Sequence, residues 1–120
     1  MGSKFGQGKY QFYDGRVYQG QFYNGLSDGN GILIMTNGNS YEGEWQLGVM
    51  HGRGVFKWKN GEKYEGEYQL GIRQGIGKYW FAGGAVYEGG WVGGVQEGEG
   101  VVKEGFDEVR GRWVGGEKVD

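Results

Sequence analysis

Glu42/Glu44 and Glu65/Glu67 are carboxylate pairs two residues apart, a spacing that could divide general acid and general base roles between neighbouring side chains. Four Gly-x-Gly steps, at Gly29/Gly31, Gly52/Gly54, Gly75/Gly77 and Gly98/Gly100, invite comparison with phosphate-cradling loops. Such loops lead from a strand into a helix N-terminus, and the P-loop ends in Gly-Lys-Ser/Thr; neither feature follows here. His51 is the single histidine, so no multi-histidine metal site is expected. Ser3, Ser27 and Ser40 have no histidine in a matching arrangement, so no nucleophile triad is assigned. With no cysteine, thiol nucleophiles, disulfide frameworks and cysteine-based zinc sites are excluded, and a reducing compartment suits the chain.

The elements that would carry these residues follow from composition and period. The chain has 120 residues, enough for one domain, and 30 glycines without a proline. Collagen would need a three-residue period with proline, and flexible linkers lack the five Trp, nine Tyr and six Phe present here. A net charge of −2 and a pI near 5.5 give no global positive field, so nucleic acid is not an expected partner. No apolar run approaches the ~20 residues of a membrane-spanning helix, and no secretory leader is evident. A soluble, cytoplasmic protein without a cofactor is the expectation.

From Tyr18, Tyr41, Tyr64 and Tyr87 the chain restarts every 23 residues as Tyr-x-Gly-x-aromatic-x-x-Gly. Each copy continues through Gly-x-Gly to a turn pair: Asn37-Gly38, Asn60-Gly61, Gly83-Gly84 and, degraded, Glu104-Gly105. The resulting organisation is a half repeat at 5–17, repeats at 18–40, 41–63, 64–86 and 87–108, and a half repeat at 109–120. Met1-Gly2-Ser3 reads as a cloning remnant, which would make the chain an excised piece of a longer array; a small complete protein is the alternative.

Tyr41, Gly43 and Trp45 alternate with Glu42, Glu44 and Gln46, the period of two that marks a strand, and Gly54, Phe56 and Trp58 repeat it on the return. A three-residue loop Lys59-Asn60-Gly61, with the glycine in the left-handed region, sets Phe56 opposite Tyr64 and Gly54 opposite Gly66. A two-residue loop would mix the two faces. Ten strands at ~4.8 Å make an all-β ribbon on the order of 43 Å long. The acids recur with the period on the face away from the rings, which assigns them to a solvated face, with cross-strand neighbours such as Lys78 and Glu88. His51 is read as a turn residue between Gly48 and Gly52.

Tyr41-Glu-Gly-Glu-Trp45, Gly48, His51-Gly52-x-Gly54 and Asn60-Gly61 on this period resemble the MORN repeat. The fourth copy departs from the pattern, with Gly90 for Glu or Gln, Glu104 for an aromatic and closure one residue early. The resemblance implies an elongated single-layer antiparallel sheet of tandem β-hairpins curled into a trough. It also implies a non-catalytic attachment element, an adaptor or scaffold such as those of cytoskeletal, ciliary and motor assemblies.

Rings on one face of a single layer must cover one another and still leave apolar surface wet, the condition of a binding groove. The candidate groove residues are Tyr18, Phe22, Tyr41, Trp45, Phe56, Trp58, Tyr64, Tyr68, Tyr79, Tyr87 and Trp91. A partner's helix or extended segment is the expected ligand, and a helix of about 28 residues would match the ribbon. Arg53, Lys57, Lys59 and Lys63 form a basic cluster, compensated by Glu62 and Glu65, that gives a phosphoinositide or membrane-surface module as the alternative. A third reading is the docking arm of a larger enzyme. Unpaired edge strands also make self-association a candidate property.

Overall fold

The computed structural model describes residues 5–120; Met1-Gly2-Ser3 lies outside them. Eleven strands form one sheet: β1 (Gly6–Gln11), β2 (Val17–Tyr23), β3 (Leu26–Ile34), β4 (Ser40–Gln46), β5 (Val49–Lys57), β6 (Lys63–Gln69), β7 (Ile72–Trp80), β8 (Val86–Val92), β9 (Val95–Glu104), β10 (Asp107–Val114) and β11 (Glu117–Lys118). Each strand pairs antiparallel with its sequence neighbours and with nothing else, and the sheet is not closed into a barrel. No helix is present among the described residues. The strand count exceeds the expected ten because Gly115-Gly116 turns the chain back for a short final strand.

Two kinds of turn alternate along the ribbon. On one long edge, the loop between Trp58 and Glu62 is closed by the Trp58 N–H donating to the Glu62 carbonyl (2.9 Å) and the Gly61 N–H donating to the Trp58 carbonyl (3.0 Å). Gly61 sits at φ +95°, and Asn60 Oδ1 accepts from the Glu62 N–H at 3.0 Å. This is the three-residue loop expected from parity, and it sets Phe56 opposite Tyr64 and Gly54 opposite Gly66. The fourth copy closes on two residues, Gly105 and Phe106, yet Val102 still faces Val109, so the early closure leaves the register intact.

The other long edge carries two-residue turns with both residues at positive φ, the geometry that suits the twist of a tight hairpin. They include Asn24-Gly25, Leu47-Gly48 and Leu70-Gly71. His51 therefore lies inside β5, not in a turn, because the chain has already reversed at Leu47-Gly48.

The register aligns a lane of glycine across ten strands: Gly8, Gly20, Gly31, Gly43, Gly54, Gly66, Gly77, Gly89, Gly100 and Gly111. Each repeat tyrosine lies across it: a methyl group at Gly31, Gly54, Gly77 or Gly100 would collide with the ring of Tyr18, Tyr41, Tyr64 or Tyr87. The molecule measures 53 × 23 × 20 Å. A flat single layer would be far thinner than 20 Å, given that even two stacked sheets lie only about 10 Å apart, so the ribbon is strongly coiled.

Candidate functional site

The ring-bearing face is built in two tiers. Its floor is a continuous series of edge-to-face contacts, in which each repeat tyrosine meets the ring four residues on and the corresponding ring of the following repeat. Tyr41 touches Trp45 at 5.1 Å and Tyr68 at 5.2 Å between centroids; Tyr64 touches Tyr68 at 5.3 Å and Trp91 at 5.2 Å. Tyr18 and Tyr87 extend the series to Phe22 and Trp113. Each repeat tyrosine, Tyr18, Tyr41, Tyr64 and Tyr87, donates its hydroxyl to the backbone carbonyl three residues on, as Tyr41 does to Glu44 at 3.0 Å and Tyr64 to Glu67 at 2.9 Å. Trp45 and Trp91 donate their indole N–H to the carbonyls of Gly31 and Gly77. Burial holds the phenol of Tyr64 neutral, pushing it up to about 12, and raises Tyr18, Tyr41, Tyr68 and Tyr87 as well.

Of the candidate groove residues, Tyr18, Phe22, Tyr41, Trp45, Tyr64, Tyr68, Tyr87 and Trp91 belong to this floor, with exposures from 0 to 8%. Phe56, Trp58 and Tyr79 form an upper tier that is only half-buried. Their rings run on as tilted neighbours: Phe56–Trp58 at 4.5 Å, Trp58–Tyr79 at 5.3 Å and Tyr79–Phe81 at 4.8 Å. Phe81, 38% exposed, thus joins the residues singled out from the pattern. Tyr79 donates its hydroxyl to Glu62 Oε1 at 2.7 Å, and its phenol is pushed up to about 12 by burial and then by that carboxylate.

One cation stands among these rings. The Arg73 guanidinium carbon is 5.0 Å from the Trp91 centroid, 5.7 Å from those of Trp58 and Tyr64, and 5.8 Å from that of Tyr79. Its Nη2 donates to the Gly94 carbonyl at 2.8 Å. Sequence reasoning passed over it because the matching positions hold Ser27, Met50 and Gln96; the signal was its place opposite Tyr68 in the register.

The carboxylate pairs divide into two structural roles: three of the four are exposed, as expected of a solvated face, Glu67 is half-buried, and the second member of each pair also holds the backbone. Glu42 and Glu65 make no such bond among the described residues, whereas Glu44 Oε1 accepts the Arg53 N–H at 2.8 Å and Glu67 Oε1 accepts the Ile76 N–H at 2.7 Å. Gln21 does the same for Asn30 at 2.6 Å. These side chains fill the gap where the pairing register slips at Gly20/Phe22, Gly43/Trp45 and Gly66/Tyr68, and they occupy the space a methyl group would need at Gly29, Gly52 and Gly75. The Gly-x-Gly step is thus one glycine beside a bulge-filling side chain and one beneath a tyrosine. In the fourth copy Gly90 stands where the glutamate would be, and the Glu97 carbonyl closes into the freed space.

On the opposite face Lys57 and Lys63 are direct cross-strand neighbours, and Lys63 Nζ stands 4.2 Å above the Trp80 ring. Arg53 and Lys59 are exposed and lie apart from this pair, in β5 and the following loop. Lys78 and Glu88 pair in the expected register, but Lys78 lies over Trp80 at 5.0 Å instead of forming an ion pair. A surface depression also lies on this face, among Glu88, Glu99, Arg110, Arg112 and Asp120, open to solvent and lined by charges of both signs. No group of three or more His, Asp or Glu side chains gathers as a metal site among the described residues.

No curated protein matches the chain at a significant level. The sequence profile of the MORN repeat matches residues 1–15, 18–40, 41–63, 64–86 and 87–103. MORN repeats are a non-catalytic repeat type that binds proteins or membranes. A 23-residue hairpin unit, a tyrosine laid over a glycine lane and a profile match through most of the sequence lead to one assignment: the chain belongs to the MORN repeat family.

Proposed function

We propose that the protein is a non-catalytic scaffold that holds an apolar segment of a partner protein on its ring-bearing face. The observation that carries this reading is the upper tier of Phe56, Trp58, Tyr79 and Phe81, contiguous and partly exposed above a floor that is already sealed. Rings not needed to close the floor remain wet, and rigid aromatic anchors of this kind dominate binding energy in protein interfaces. The segment lies along the ribbon and crosses successive hairpins.

A second reading has its own support. Lys57 and Lys63 sit side by side on the other face with no carboxylate within 4.0 Å among the described residues, flanking the half-buried Trp80, an arrangement that suits an anionic membrane surface. The readings separate in one experiment on immobilised amphipathic peptides and on vesicles with and without anionic lipid. Trp58→Ala with Tyr79→Ala is expected to abolish peptide binding while the melting transition persists. Vesicle binding that survives this double variant, disappears in Lys57→Gln with Lys63→Gln, and is accompanied by no peptide binding would overturn the scaffold in favour of the membrane module.

A further inference from the structure

Arg73 is a cation inside an apolar groove, and its charge is only partly answered. A guanidinium carries five N–H donors, and one of them is used by the Gly94 carbonyl. No carboxylate lies within 4.0 Å among the described residues; the Tyr79 hydroxyl, a hydrogen-bonding neighbour of the guanidinium, gives its own proton to Glu62. The surrounding rings hold the guanidinium over their faces but offer no anion. Matching positions in neighbouring copies are neutral, Met50 before and Gln96 after, so the charge marks one place along the ribbon.

Two shallow apolar hollows flank that place. One lies between Met50, Phe56, Trp58 and Ile72, and the other between Tyr79, Phe81, Trp91 and Val95, with Gly94 common to both. They are one hairpin apart, two strand spacings or about 9.6 Å. Residues seven apart on a helix are separated by about 10.5 Å along its axis, and the residue between them at the third or fourth position shares their face.

We infer that the groove reads an amphipathic helix carrying two apolar side chains seven residues apart with a single carboxylate between them, the apolar pair seated in the hollows and the acid on Arg73. This rests on the scaffold reading and adds the partner's chemistry to it. An acid there gains a charge-assisted pair in a site partly shielded from water, whereas a lysine at the same position meets a like charge.

The test uses the whole protein and three synthetic helical peptides that differ at one position: leucines at i and i+7 with Glu, Gln or Lys at i+4. Binding is followed by tryptophan fluorescence. The Glu peptide is expected to bind about tenfold more tightly than the Gln peptide, with Lys weaker still. In Arg73→Gln the Glu-to-Gln ratio falls to about one, in Arg73→Lys the preference for acid survives, and in Arg73→Glu the order reverses in favour of Lys. Ratios within one variant are insensitive to a general loss of affinity, and thermal melting identifies a variant that does not fold. Equal binding of all three peptides to the wild type, or a preference unchanged in Arg73→Gln, overturns the assignment of the acid while the scaffold stands. Absence of binding by every peptide overturns both.

Discussion

Substituting Gly54 by alanine tests the lane that organises the fold. Its new methyl group would collide with the Tyr41 ring, which is fully buried and donates its hydroxyl to the Glu44 carbonyl at 3.0 Å. The ring must therefore leave the lane. Displacement forfeits much of the 1.5–3 kcal/mol, roughly, of burying a large side chain, about 1 kcal/mol for the hydroxyl bond, and about 0.5–1.5 kcal/mol for each edge-to-face contact, with Trp45 and with Tyr68. Partial relaxation recovers some of this, and a net destabilisation of about 3–4 kcal/mol is expected. Gly61→Ala is the control: nothing lies within 4 Å of its added methyl group, so only backbone strain at φ +95° acts, about 1 kcal/mol. Urea unfolding followed by tryptophan fluorescence compares the two through midpoint and slope. If Gly54→Ala costs no more than Gly61→Ala, steric occupation of the lane is not what demands glycine, and the account of the ring tier fails.

Three further outcomes follow from the same geometry. Glu44→Ala leaves the Arg53 N–H without its acceptor and is expected to cost about 1 kcal/mol, with Glu44→Gln recovering most of it because an amide oxygen already serves this role at Gln21; urea unfolding of the pair decides. Asp28, Gln74 and Glu97 each accept a backbone N–H from the next turn, at Leu47, Gly93 and Gly115, whereas His51 Nδ1 is enclosed without a partner, so His51→Gln should raise stability by about 0.5–1.5 kcal/mol. Tyr64 and Tyr79 are held neutral up to about 12 against an ordinary value of 10.0. The unfolded chain therefore sheds their protons first, and stability that is complete below pH 10 is lost as the pH rises toward 12. Circular dichroism and tyrosinate absorbance recorded together should show unfolding accompanying ionisation, and free titration of these phenols near 10 in a folded chain would contradict their burial.

Much of this fold was legible because two of its rules are written in spacing alone. The alternation Tyr41, Gly43, Trp45 assigns faces, and side-chain parity across Lys59-Asn60-Gly61 fixes which residues meet. The opposite turns were less visible: Leu47 and Leu70 occupy positions where asparagine or glycine usually announces positive φ, as Asn24 does. The backbone-holding role of Glu44 and Glu67 was hidden because a bulge changes which groups a side chain can reach without changing its place in the alternation. Depth was the other gap. Periodicity puts Tyr64 and Tyr79 on one face, but the coiling of the sheet sets the first in the floor and the second above it, and spacing carries no record of that depth.

Because every strand meets only those adjacent in sequence, the ring-bearing face is modular in a literal sense. Adding or removing one 23-residue unit lengthens or shortens the track by two strand spacings, about 9.6 Å, and presents the same junction to its new neighbours. In the proposed scaffold the reach would therefore be quantised, and a distinctive residue such as Arg73 would serve as a landmark that tells a ligand where along an otherwise periodic track to stop.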